Sequence, residues 1–349
     1  MAAAVLSPPS RIAFSAISVV PLCQTDARVD DAVQQVNDQH DANVHGAVDE
    51  AQTDDHVVVV GLDGRHQQAA HAGDSLFAME NPGYPKVYQT ITNCGRTVEA
   101  IDVTETGIDI AALGQSKADI VYVTPSHQFP TGVVMPIGKR LELLRWADEK
   151  PNRFVIEDDY DSELKFTGKP IPSLQGIDTA GKVAYIGTFS RSIAPSVRIA
   201  YLVLPPALLQ RYQTLCSHYS PTVSRFEQHT LFQFMKGGHF ERNINRNRNT
   251  YRKRRDAFVS ALKASPIANQ ITIMGANAGL HFLLQVQNGM SEAELIASAK
   301  ANGICLQGIS PYYLKNRTPM AHTILLGFAH HTPEELQQAA NLLASIWKI

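Results

Sequence analysis

Cysteine is scarce, with four in 349 residues: Cys23, Cys94, Cys216 and Cys305. None forms a CxxC pair, which excludes a zinc ribbon and a disulfide-stapled scaffold and fits a reducing, cytoplasmic compartment. No apolar run reaches the ~18–20 residues that a membrane helix needs. The mildly apolar stretch 13–23 follows a single charge, Arg11, and has no clear small-residue cleavage site, which argues against a secretory signal. Neither sign of charge dominates: 31 Lys+Arg against 33 Asp+Glu leaves a formal net charge of -2. Such a balance argues against nucleic-acid binding by the chain as a whole. Hydrophobic residues at 44% and charged residues at 18% place it among globular proteins rather than disordered ones.

Residues 1–72 contain no lysine, tyrosine or tryptophan; the first are Tyr84, Lys86 and Trp146. Asp, His, Gln and Val crowd this segment, with His40, His45, His56, His66 and His71 among them. Their spacing matches no metal-ligand motif, so no metal is expected. Gln34-Gln35-Val36 hints at a short helix, and residues 56–61 (HVVVVG) read as one buried strand. The segment is expected to contribute little regular structure and no winged helix-turn-helix, so this chain alone is not expected to bind DNA.

From Gly73 onward, short apolar runs alternate with amphipathic stretches. Residues 119–123 (DIVYV), 154–156 (FVI), 183–186 (VAYI) and 199–204 (IAYLVL) are expected strands of one mainly parallel sheet, with a helix over 138–148 between two of them. Long helices are expected over 226–236 and 241–263, broken by Gly237-Gly238. Beyond residue 264, a strand over 279–286 and helices over 291–301 and 332–347 predict a smaller α/β domain. Ser291 with Glu294, and Thr332 with Glu335, are capping-box pairs. The expected division is 1–72, an atypical N-terminal segment; 73–264, a large domain with interdomain helices; and 265–349, a small C-terminal domain.

Three signatures carry chemistry: residues 123–132 (VTPSHQFPTG), 155–164 (VIEDDYDSEL) and 185–202 (YIGTFSRSIAPSVRIAYL). Each follows or contains an expected strand, and loops at the ends of parallel strands are where ligands bind. The Thr-Phe-Ser turn followed by arginine brings hydroxyls and a guanidinium together, a reasonable anion cradle. The Asp158-Asp159 pair at the end of an apolar strand must face water or a cation.

In this order, and with residues 80–84 (ENPGY) and 237–255, these blocks resemble the aminotransferase-like domain of MocR-type regulators of the GntR superfamily. That domain is a pyridoxal 5′-phosphate (PLP) fold type I, class I/II aminotransferase-like domain. The resemblance runs from about residue 73 to the C-terminus. It implies an α/β fold with a mainly parallel sheet flanked by helices, a smaller C-terminal α/β domain and a homodimer. It further implies that Asp158 pairs with the pyridine nitrogen of PLP and Tyr160 with its phenolic oxygen. Thr188, Ser190 and Arg198 hold the phosphate, and Tyr84 lines the pocket. His127 and Gln128 fall in the loop before Pro130-Thr131-Gly132 without an assigned role.

The chain departs from that pattern in four places. Arg191 occupies the position of the Schiff-base lysine, and a guanidinium keeps its proton and cannot attack an aldehyde. Lys182, on the far side of its strand, is poorly placed to replace it. Leu325 and Lys86 stand where many relatives have arginines for the substrate. The Gly-x-Gln-Gln element has lost its following helix, since Gln67-Gln68 precede Gly73 by only a few residues; residues 1–72 are therefore not expected to be the family's own N-terminal part, and a frame disruption or misassigned start would account for them. The expectation is a PLP- or amino-compound-binding effector domain without transaminase activity, any PLP being held weakly or non-covalently. A working PLP-dependent aminotransferase and a degenerate fragment that binds nothing are the rival readings. The basic run Arg242–Arg255 is expected to be a solvated or subunit-contacting helix face rather than a DNA-binding one.

Overall fold

The computed structural model describes residues 75–348 apart from 169–170, 217, 220–221 and 315–316, together with two strands at Ile17–Val19 (β1) and Val57–Leu62 (β2). The hint of a helix at Gln34–Val36, the histidine-rich cluster and the Gln67-Gln68 pair lie outside the described residues.

The main sheet has the order β1-β2-β9-β8-β7-β6-β3-β4-β5. Its centre comprises β3 (Phe77–Asn81), β4 (Val98–Thr104), β6 (Ile120–Val123), β7 (Phe154–Asp159) and β8 (Val183–Thr188). All the pairings among them are parallel. The short β5 (Gly107–Ile108) closes one edge against β4. Residues of β6 and β7 are buried on both faces or nearly so, which explains why they read as apolar runs rather than alternating ones. Val121, Val123, Val155 and Val183 share a core with Leu113 of α2 (Ile110–Gln115) and with Leu143 and Trp146 of α3 (Ile137–Asp148).

One strand departs from the expected parallel arrangement. β9 (Ile199–Val203) runs antiparallel to β8. Only residues 189–198 separate the two, fewer than the dozen or more that a parallel crossover needs. The backbone of β2 pairs antiparallel with β9, from Val57 opposite Val203 to Gly61 opposite Ile199. The N-terminal segment therefore extends the main sheet, contrary to the expectation that it contributes little. The strand at residues 57–62 matches the run of valines.

The second sheet is antiparallel, in the order β10 (Ile271–Met274), β11 (His281–Val286), β13 (Thr323–Gly327), β12 (Gln307–Gly308). The helices α8 (Glu292–Ala301) and α9 (Pro333–Ile346) complete its core with Leu295, Leu336, Leu343 and Trp347. Both expected capping boxes form, and a third, Ser224 with Glu227, opens α6 (Arg225–Lys236). The earlier helices α1 (Pro85–Asn93), α4 (Phe189–Ser192) and α5 (Pro206–Cys216) flank the main sheet.

The long helix α7 (His239–Lys263) joins the two sheets. Near its start the Asn243 and Asn247 amides donate to the Ser192 carbonyl at 2.8 and 3.3 Å. At its end Phe258 and Leu262 enter the core of the small sheet. The basic run divides accordingly. Arg242, Arg246, Arg252 and Lys253 are exposed, as expected of a solvated face. Arg248, Arg254 and Arg255 are half-buried and donate to the carbonyls of Glu163, Ala329 and Ala276. These three guanidiniums tie the helix to three separate segments of the chain.

Candidate functional site

Because β3, β6, β7 and β8 run the same way, their carboxyl ends deliver Glu80, Thr124, Asp158 and Thr188 to one rim of the sheet. The acidic run 157–159 is sorted by the two-residue period of β7. Glu157 and Asp159 are buried, whereas Asp158 and Tyr160 keep part of their surface open on the other side. Glu157 accepts the backbone N–H groups of Leu174 and Gln175, both at 2.9 Å, and faces the Arg140 guanidinium at 3.7 Å. Asp159 accepts the Tyr185 hydroxyl at 2.9 Å and the Ser162 N–H at 3.1 Å. Both carboxylates therefore serve the fold, which leaves Asp158 for the site.

Asp158 accepts the hydroxyl of Tyr122, a β6 residue diagonally across the pair. Burial pushes its carboxyl up to about 7, with the Asp159 and Asp161 carboxylates adding to the rise and the Tyr122 hydrogen bond opposing it. No sequence motif singles out Tyr122; it follows only from the alignment of β6 against β7.

Behind Asp158 sits Glu80, 2% exposed. Its Oε2 accepts Thr124 N–H (3.0 Å), Thr124 Oγ1 (2.7 Å) and Gln128 Nε2 (3.3 Å), while Oε1 has no partner. Burial raises this carboxyl too, to about 7. Gln128 is the knot of its loop. Its amide nitrogen donates to the Pro82 and Phe129 carbonyls, and its oxygen accepts Thr131 N–H and Oγ1.

His127 is fully buried. Its Nδ1 lies 2.9 Å from Asp161 Oδ2, and its Nε2 has no partner. Tyr160 donates its hydroxyl proton to the His127 carbonyl at 2.8 Å, beside Nδ1 at 3.1 Å. Tyr84 meets the edge of Phe129, with ring centroids 5.4 Å apart, and Phe129 meets Tyr312 at 5.1 Å and His281 at 5.4 Å. His281 and Tyr312 come from the small-sheet part of the chain, more than a hundred residues away, and no local signal marks them. Burial pushes the His281 imidazole down to about 3, so the ring stays neutral in the fold.

At the end of β8, Thr188 caps the short helix α4, its Oγ1 accepting the Ser190 N–H at 3.2 Å. The Ser190 hydroxyl is buried with no partner. Arg198 takes a left-handed backbone conformation, φ 54°, which a side chain larger than glycine rarely adopts and which clusters at ligand clamps. Arg191 is half-buried, and its charge acts on the Tyr84 and Tyr160 phenols. No ion pair among the described residues involves it. Asp158 and Arg191 thus open on the same end of the sheet. Lys182 immediately precedes β8 instead, and its ammonium donates to the Lys150 and Pro151 carbonyls at the opposite end. Leu325 on β13 packs with Leu283, Ile309 and Tyr312. Among the described residues, no group of His, Cys, Asp and Glu is disposed to hold a metal, and no helix is long and apolar enough to cross a membrane.

A family profile described as aminotransferase class I and II matches residues 50–343. The chain belongs to this family. The match opens at residue 50, ahead of the resemblance read from residue 73, and so takes in the strand β2 that the sequence reading set apart. The aminotransferase class I and II chain is 40% identical over 270 residues to the HTH-type transcriptional regulator YdeL of Bacillus subtilis, covering 77% of this chain and 58% of that one. It is 30% identical over 267 residues to the probable rhizopine catabolism regulatory protein MocR of Rhizobium meliloti, covering 76% and 53%. It therefore spans little more than half the length of these relatives. Among solved structures it resembles the kynurenine aminotransferase of Pyrococcus horikoshii, with TM-score 0.71, 20% identity and 97% and 90% of the two chains covered. It also resembles the α-aminoadipate aminotransferase LysN of Thermus thermophilus, with TM-score 0.70, 21% identity and 96% and 91% covered. These likenesses establish the PLP fold type I architecture.

Proposed function

We propose that this aminotransferase-like domain is the ligand-sensing part of a MocR-type regulator and holds PLP without a covalent link. The observation that carries the reading is the meeting of Asp158, Tyr160, Ser190 and Arg191 at one rim, with a guanidinium where the resemblance places the PLP-linked lysine. The residues present fit the non-covalent part of the cofactor. Asp158 is a partly open carboxylate that forms no ion pair among the described residues, suited to a protonated ring nitrogen. The Ser190 hydroxyl lacks a partner, and Thr188, whose Oγ1 accepts the Ser190 N–H, and Arg198 are the further groups that the resemblance assigns to a phosphate. The Tyr160 hydroxyl, which donates to the His127 carbonyl, would turn that proton to the phenolic oxygen of the ligand, an acceptor once the ring nitrogen is protonated.

When bound, PLP supplies an electron-withdrawing ring. The chain's residues orient that ring and hold its charges. Arg191 cannot supply the neutral amine for covalent attachment or shuttle a proton as lysine does. Leu325, packed in an apolar cluster, offers no charge to a substrate carboxylate. Both features favour sensing over transamination, and a homodimer is the assembly that the fold type I resemblance implies.

Equilibrium dialysis of the full chain against PLP, followed by borohydride reduction and intact mass measurement, tests the reading. The expected result is saturable retention, no reduced adduct, and retention weakened at least tenfold by Asp158→Asn. A stable adduct on the unaltered chain overturns the non-covalent reading. Absence of retention leaves the degenerate fragment.

A further inference from the structure

We propose that Tyr122 is a positioning residue for the ring nitrogen of a bound pyridoxal-type ligand. Its hydroxyl holds Oδ2 of Asp158, keeps that carboxylate an anion and leaves Oδ1 to the nitrogen, which thereby keeps its proton. This rests on the PLP-pocket reading above and adds a residue to the same site.

Strand register brings the phenol to the carboxylate. Tyr122 of β6 stands opposite Met79 of β3 and Ile156 of β7. Side chains two residues apart on a strand share a face, so Tyr122, Ile156 and Asp158 emerge on the same side of the sheet. The two-residue rise from Ile156 to Asp158 is roughly 6.6 Å, a step that a tyrosine ring spans and a shorter side chain does not. The Tyr122 hydroxyl therefore reaches Asp158 Oδ2 from within the sheet. Tyr122 is 6% exposed, whereas Asp158 is half-buried at the rim. The phenol approaches from the closed side of the carboxylate and leaves the open side to a ligand.

Several other groups face this carboxylate: Glu80 from β3, Tyr84 beyond it, and Asp159, Tyr160 and Asp161 along its own segment. Among the described residues it is Tyr122 that donates a hydrogen bond to it. A hydroxyl that donates to a carboxylate stabilises the ionised form. Here it acts against burial and the two neighbouring aspartates, which favour the neutral acid. The same bond fixes the plane of the carboxyl group, because a buried phenol that let go would lose its partner without reaching water. One oxygen is then committed within the sheet, and the other is offered at a set angle. A neutral Asp158 would keep the proton itself and offer the ring nitrogen only the weaker, uncharged hydrogen bond.

The test uses the full chain and pyridoxine 5′-phosphate, which has no aldehyde and forms no covalent link, with nitrogen-15 in its ring. The nitrogen-15 chemical shift of the bound ligand separates a protonated ring from an unprotonated one, and calorimetry gives the affinity. The expected result is a protonated nitrogen on the unaltered chain. With Tyr122→Phe the shift should move toward the unprotonated position and the affinity should fall by about tenfold, as loss of a hydrogen bond to a charged group implies. The 1-deaza analogue, with carbon in place of the ring nitrogen, should bind the variant and the unaltered chain alike. An unmoved shift in Tyr122→Phe overturns the proposal. A loss of affinity that the deaza analogue shares also overturns it, because Tyr122 then serves only the fold. An unprotonated nitrogen on the unaltered chain overturns it while leaving the PLP pocket standing, and that measurement needs no folded variant. Binding of neither ligand to the unaltered chain removes both this proposal and the PLP reading.

Discussion

A Cβ on Gly279 would lie 2.1 Å from Cε1 of His127 and 2.6 Å from Asp161 Oδ2. Only a bare backbone fits there, and it takes φ +71°, while its N–H donates to the Leu164 carbonyl at 3.0 Å. The close approach packs the entrance to β11 against the hydrogen-bonded His127–Asp161 pair beside Tyr160. Gly279→Ala is expected to lower stability by about 3 kcal/mol, combining overpacking with a left-handed backbone. Chemical denaturation measures this; a loss within 0.5 kcal/mol, roughly that of an ordinary surface change, would show that the segment yields easily.

The chemistry lost at position 191 is expected to return with one substitution. Arg191→Lys should gain a borohydride-reducible pyridoxyl adduct that peptide mapping places at residue 191. Adding Lys182→Met should leave the yield unchanged, because the Lys182 ammonium is engaged at the far end of β8. An adduct at residue 182, or none at all, contradicts the geometry of the site.

Stability is expected to fall as pH rises from 6.5 to 8. Burial raises Glu80, Glu157 and Asp158 to about 7 and Glu163 to about 8. Between their unfolded and folded values, the native state holds more protons than the unfolded chain, so raising the pH favours unfolding. His281 acts in the other direction, but its contribution is already complete above pH 6.5, its ordinary value. Thermal melts across this window should show the decline. Glu163→Gln should reduce the slope and raise Tm at pH 8 by roughly 2 °C or more; an unchanged slope would remove Glu163 as a source.

Thr332 caps α9, with its hydroxyl accepting Glu335 N–H at 3.2 Å and the Glu335 carboxylate accepting Thr332 N–H at 2.8 Å. Thr332→Ala is expected to cost about 1 kcal/mol. Because α9 supplies Leu336 and Leu343 to the small-sheet core, the loss should appear in global unfolding rather than as local fraying, which hydrogen exchange distinguishes.

The amino-acid sequence by itself determined the strands over 119–123, 154–156 and 183–186, the long helices and two of the capping boxes. Each depends on residues close together in the chain, through apolar runs, helical spacing or an S/T-x-x-E pair. It also placed Asp158, Tyr160 and Arg191 in one neighbourhood, since ordered motif blocks mark the ends of parallel strands. Tertiary structure alone decided the reversed direction of β9, the joining of β2 to the sheet and the inward turn of Arg248, Arg254 and Arg255. It alone chose Asp158 over Asp159 as the open carboxylate, because strand register selects the face on which each side chain emerges. Tyr122 reached the site from a neighbouring strand, His281 from the second sheet and Tyr312 from the short turn of helix at Ser310–Tyr312. Their roles arise from contacts between residues 36 positions apart for Tyr122 and Asp158 and more than a hundred for the other two, and no local pattern encodes contacts over such separations.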